Sequence, residues 1–163
     1  MKTLYFERMK KNNKKRMWKF KLIIILFSCN TLLYSCKKKQ LDYCQLLDEL
    51  MMKQQQSWNE GNIEKFMSSY WKSDSLMFIG KNGIQYGWQK TLDSYKKSYR
   101  NKEEMGELSF INIDCKSLDS QHHLITGNWK LIRNDSLGDL SGYYTLLWKK
   151  MEDRWVIVYD HTN

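Results

Sequence analysis

No proline occurs anywhere in the 163 residues, and histidine is limited to three and cysteine to four. The missing proline, beside seven Trp, ten Tyr and six Phe, excludes a disordered chain and describes an aromatic-rich globular one. No CxxC pair and no His/Cys cluster has metal-site spacing. His122 and His123 are neighbours on a predicted strand, where side chains point to opposite faces, so they do not chelate together. There is no G-x-S-x-G, no glycine-rich phosphate loop and no HExxH, which removes support for the chemistries those motifs carry. No metal and no cofactor is expected. Repeats are absent too, and the length suits one modest domain with one core.

Balanced charge is also missing. Lys and Arg number 27 against 18 Asp and Glu, a net charge of +9, which at first points to nucleic acid or a membrane surface. The excess is local. Residues 1–35 hold nine Lys/Arg and one acid, Glu7, whereas residues 36–163 hold 18 and 17, so nucleic acid is not an expected partner.

The basic start (Lys10, Lys11, Lys14, Lys15, Arg16, Lys19, Lys21) is followed by Leu-Ile-Ile-Ile-Leu-Phe over 22–27 and by Leu32-Leu33-Tyr34-Ser35-Cys36. From Leu22 to Ser35 is 14 residues, and a membrane-crossing helix needs about 20. A short apolar run behind a basic segment reads as a signal peptide over 1–35. Leu33-Tyr34-Ser35-Cys36 resembles the lipobox of bacterial lipoproteins, which implies lipid on the Cys36 thiol and residues 36–42 as a polar tether. Leu26-Phe27-Ser28-Cys29 fits the same pattern; Cys36 is preferred because it follows the whole apolar run and precedes Lys37-Lys38-Lys39. Two acyl chains anchor stably where one is marginal. Met9 and Met17 are alternative starts. The expected location is the bacterial cell envelope, facing the periplasm or the cell surface, with the membrane as a partner through that anchor.

Cys44 and Cys115 then remain. An exported domain sits where disulfides persist, yet two cysteines at unrelated spacing more often behave as small buried hydrophobes, so a bridge is the less favoured reading.

The domain proper spans 43–163. Tyr43, Leu47, Leu50, Met51, Gln54 and Trp58 keep one helical face, Gly61 ends that helix, and Asn62 caps the next. Ile63, Phe66, Met67 and Tyr70 recur as on a second short helix. A short hairpin follows around Lys81-Asn82-Gly83, and then a third helix with Trp88, Leu92, Tyr95 and Tyr99 on one face. Leu108–Cys115, His122–Arg133, Tyr143–Lys150 and Trp155–His161 read as four strands in an antiparallel meander. The result is an α+β domain, helices on one face of a curved sheet. On the last strand Trp155, Ile157, Tyr159 and His161 alternate with Val156, Val158 and Asp160. Both sets are mostly apolar, so one face meets the helices and the other a partner, most economically a second copy in a homodimer.

This order of elements resembles the nuclear transport factor 2-like superfamily, and more specifically its SnoaL-like and uncharacterised small-domain branch. The residues that carry the likeness are Gln56-Ser57-Trp58-Asn59-Glu60-Gly61-Asn62, Tyr70-Trp71, Phe78-Ile79-Gly80, Gly87-Trp88, Gly127-Asn128-Trp129 and the ending 155–162. The resemblance implies a conical fold, three N-terminal helices packed on a curved antiparallel sheet, with an apolar pocket between them and usually a dimer. It implies no single reaction, because this fold hosts enzymes, binding modules and assembly domains.

Asp160 is the leading site candidate: a carboxylate among apolar walls has a raised pKa and can move a proton, unless backbone or a cation such as Arg133 satisfies it. His161 is a tentative second, facing away from Asp160 unless a bulge intervenes. Tyr70, Phe78, Trp88, Tyr95, Trp129 and Tyr144 are candidate pocket walls, with Arg133 for an anionic group. The leading expectation is a lipid-anchored protein whose cone binds a small, mostly apolar molecule. The alternatives are an isomerase, dehydratase or cyclase using Asp160, and a non-catalytic dimeric interaction module.

Overall fold

A computed structural model describes residues 43–163; the leader, the lipobox and Cys36 lie outside the described residues. Among the latter, no helix is long and apolar enough to cross a membrane. Helix α1 covers residues 43–59 and buries Leu47, Met51, Gln54 and Trp58 along one stripe. Asn62 then starts α2 (Ile63–Met67), its side chain accepting from the Lys65 N–H at 2.9 Å, and Ile63, Phe66 and Met67 go into the core. α2 stops short of Tyr70. Trp71 N–H donates to the Ile157 carbonyl and Ile157 N–H to the Ser69 carbonyl, both at 2.9 Å, so Tyr70 bridges to the last strand instead of extending the helix.

Strands β1 (Met77–Gly80) and β2 (Gly83–Tyr86) form the expected two-residue hairpin. α3 spans Trp88–Ser98 behind Gly87, whose φ of 99° suits a residue without Cβ. A fourth helix, α4 (Lys102–Met105), was not foreseen among three. Asn101 caps it by accepting from Glu104 N–H at 2.9 Å, and buried Met105 pins it.

β3 (Glu107–Ser117), β4 (His122–Ile132), β5 (Leu140–Met151) and β6 (Arg154–Thr162) run as the expected meander, and the six strands order as β2-β1-β6-β5-β4-β3. The sheet is mixed, not wholly antiparallel, because β1 lies parallel to β6. Tyr70 and the loop after it carry the chain back across the end of the sheet, so β1 enters in the direction of β6.

One bulge corrects the alternation on β6. Leu147 pairs with Tyr159 and Trp148 with Ile157, leaving Val158 over, so Ile157 and Asp160 share the inward face. Asp160 therefore belongs with Ile157, not with Val156 and Val158. A second bulge, between Asn112 and Asp114, bends β3.

The core lies between the helices and the inner sheet face, from Leu47, Trp58 and Leu92 on one side to Ile125, Leu146, Trp148 and Ile157 on the other. Cys44 and Cys115 are bonded, with Cα atoms 6.0 Å apart, which overturns the preference for separate thiols. The link joins the first turn of α1 to β3 and closes a separation of 71 residues. α1 also seals the free edge of β3. Asn59 accepts from Leu108 N–H at 2.7 Å and donates to its carbonyl at 2.9 Å, while Gln55 accepts from Phe110 N–H at 2.7 Å. Their i, i+4 spacing lays side-chain amides along a strand edge that would otherwise invite another chain.

Candidate functional site

A cavity of about 580 Å³ opens between the helices and the inner sheet face. Of the predicted site residues, Tyr70, Phe78, Tyr95, Trp129, Arg133, Tyr144 and Asp160 line it. Two do not. Trp88 turns its indole into the joint between α2 and α3, donating to the Met67 carbonyl at 2.8 Å beneath the Lys72 ammonium. His161, one residue past Asp160, is exposed on the other face of the sheet.

Asp160 sits at 3 % exposure against Leu146, its neighbour on β5. One oxygen, Oδ2, accepts from the Tyr70 hydroxyl at 2.7 Å; the other, Oδ1, is buried without a hydrogen-bond partner. Burial lifts the carboxyl to about 7, and the Tyr70 hydroxyl pulls only partly the other way. The group thus stands near half-protonated at neutral pH. Burial and the neighbouring Asp160 charge in turn push the Tyr70 and Tyr95 phenols well above their ordinary value. Tyr95 stacks on Tyr99 with ring centroids 6.2 Å apart, and Tyr99 feels the charge of Arg133.

Two further polar groups shape the wall. The Trp129 indole N–H is buried and has no partner. Tyr144 donates to Asn112 Oδ1, and Asn112 in turn donates to Asp48 on α1, a chain that runs from the cavity to the surface. The strand admits Tyr144 there only because of Gly127, where a Cβ would fall 2.2 Å from the Tyr144 hydroxyl. Arg133 follows β4 directly. Its Nε and Nη2 donate to the carbonyls of Gly138 and Leu137 at 2.8 and 2.9 Å, so the β4–β5 loop fixes the guanidinium.

Sequence reasoning missed Trp58, Phe66 and Phe110 as walls. The signal was present: Trp58 and Phe66 sit on the apolar stripes of their helices, and Leu108 and Phe110 share the inward face of β3. Chemically, the arrangement offers an aromatic chamber, one titrating carboxyl with a free oxygen, a free indole donor and a held guanidinium. Those features line a chamber in an α+β fold with a mixed sheet.

Known proteins bear on the fold. No protein-family model and no curated protein matches the chain. Among solved structures, a nuclear transport factor 2-like protein of unknown function from Shewanella oneidensis is 37 % identical, with a TM-score of 0.68 over 71 % of this chain and 94 % of that one. A nuclear transport factor 2-like superfamily protein from Salmonella enterica aligns at 15 % identity and a TM-score of 0.57, covering 73 % and 88 % of the two chains. A cystatin-like domain of unknown function from Nostoc punctiforme aligns at 15 % and 0.62, covering 73 % and 75 %. The chain belongs to the nuclear transport factor 2-like family.

Proposed function

We propose that residues 43–163 bind a small, mostly apolar molecule, as the exported domain of a bacterial envelope protein held to its membrane by lipid on Cys36. The observation that carries the binding reading is Asp160: a buried carboxylate whose Oδ1 has no protein partner, on a residue that lines a chamber of about 580 Å³. Buried polar atoms are nearly always paired, and one left free beside an aromatic chamber is a place for a ligand atom. The basic segment and short apolar run before Cys36 support export and anchoring. On the outer sheet face, Ile111, Ile113 and Tyr143 stand more than 60 % exposed, which supports a homodimer through that face. Within the family we place the chain in the SnoaL-like, small-domain branch.

A thermal-shift screen of the full chain against apolar acids, sterols and polyketide-like aromatics tests the binding. A ligand at a hundred times its dissociation constant adds about 2.7 kcal/mol, and Asp160→Asn abolishes that gain. A screen without any stabilising compound, beside a stable dimer, turns the reading to the interaction module. Labelling with a palmitate analogue that vanishes in Cys36→Ala and persists in Cys29→Ala supports the anchor; the reverse moves it to Cys29.

One observation favours a second reading. A carboxyl near 7, fixed by Tyr70, suits proton transfer in an isomerase, dehydratase or cyclase. Turnover of a screened ligand that survives Asp160→Asn sinks that reading.

A further inference from the structure

The cavity carries its two cationic side chains toward one end and Asp160 at the other. Three ionisable side chains other than phenols line it, Asp160, Arg133 and Lys81, and the main chain of Asn163 lines it as well. Register sets their places. Asp160 pairs with Leu146, and Leu146 with Ile125, so Asp160 lies level with Ile125 of β4. Arg133 is eight residues further along that strand direction, up to about 26 Å of extended chain. Lys81, on the β1–β2 turn, projects beyond the Ile79–His161 pair toward the same end as Arg133. Between the two ends lie Tyr70, Tyr95 and Tyr99.

Among the described residues Arg133 has no ion pair of its own, although Glu104 and Asp139 both feel its charge. Its side chain donates to two neutral carbonyls. The nearby acids are engaged elsewhere: Asp139 pairs with Lys130 at 3.1 Å while accepting the Arg133 backbone N–H, and Glu104 pairs with Arg100. A guanidinium oriented by loop carbonyls, lining an aromatic chamber and bonded by its side chain to no carboxylate among the described residues, is complementary to an anion. At the far end Asp160 Oδ1, buried without a partner, offers a hydrogen bond to an uncharged polar group.

We propose that the chamber takes an elongated amphipathic monoanion: acidic head at Arg133, apolar body along Tyr95 and Tyr99, and an uncharged hydroxyl or carbonyl at Asp160 Oδ1. This rests on the binding reading above and names its ligand class.

Calorimetric titration of the full chain at pH 7.5, below micelle-forming concentrations, with 12-hydroxydodecanoate, dodecanoate and dodecane-1,12-diol tests it. The hydroxy acid binds at least tenfold tighter than the diol, and several-fold tighter than dodecanoate, which lacks the distal hydroxyl. Arg133→Gln removes the preference for the hydroxy acid over the diol, and a cooperative thermal unfolding transition shows that the variant is folded. Arg133→Lys keeps most of the preference. Equal binding of hydroxy acid and diol, or a preference that survives Arg133→Gln, overturns the inference while the binding reading stands. Equal binding of the hydroxy acid and dodecanoate removes Asp160 from the ligand. Diol and acids all failing to bind overturns the inference, and the screen against other apolar compounds then decides the binding reading separately.

Discussion

The seam between α1 and β3 and the wall of the cavity are built from similar polar residues treated in opposite ways. Along the seam, Asn59 and Gln55 satisfy the backbone of the edge strand, and a disulfide closes the far end. In the cavity, Asp160 Oδ1 and the Trp129 indole N–H are as hidden from water as any core atom, and neither has a partner. Paired polar groups there hold the fold; unpaired ones here cost stability. The largest effect that sharpens this contrast comes from the seam. Replacing Cys44 and Cys115 together by serine lowers the unfolding free energy by about 4 kcal/mol, from the loop the bridge closes in the unfolded chain, read by urea denaturation. Next comes Asn59→Ala, which strands both the N–H and the carbonyl of Leu108 and lowers stability by about 2 kcal/mol in the same measurement. Smallest is Trp129→Phe. That substitution removes a donor nobody accepts from, so the loss stays below about 1 kcal/mol, whereas a satisfied indole such as Trp58, which donates to the Met105 carbonyl at 3.0 Å, would cost far more. A large loss at Trp129 would break the comparison.

Much of this was legible beforehand, for physical reasons. The stripes on α1 and α3 and the alternation on β4 and β5 reflect elements half-buried on one side, where periodicity is a direct record of burial. Of the aromatic walls, Tyr95 lies on the α3 stripe, whereas Trp58 and Phe66, on stripes as well, were not singled out. What failed was local or non-local geometry that periodicity does not encode. α4 is one turn long, too short for a stripe, although Asn101 and Glu104 at cap spacing hint at it. The bulge at Val158 shifts the face of Asp160 without any residue type announcing it. The parallel pairing of β1 with β6 and the Cys44–Cys115 link join segments some 70–80 residues apart, and spacing alone is silent about such pairs. Trp88 shows the limit for single residues: an aromatic at the right spacing found a satisfied, partly buried place against the core, outside the cavity lining.

The central claim is that Asp160 is held in the cavity at the expense of stability. The native state keeps the Asp160 proton up to about pH 7, whereas an ordinary carboxyl releases it near 3.8. Between those values the folded chain binds more protons than the unfolded one, so this group's contribution falls as pH rises through that window. The measurement is urea denaturation of wild type and Asp160→Asn side by side from pH 4 to pH 8. The account predicts near-equal stability at pH 4 and a variant that gains steadily on wild type toward pH 8, by at most roughly 4 kcal/mol. A variant less stable than wild type at pH 8, with no change in the difference across the range, would show Asp160 to be a satisfied structural carboxylate and contradict it.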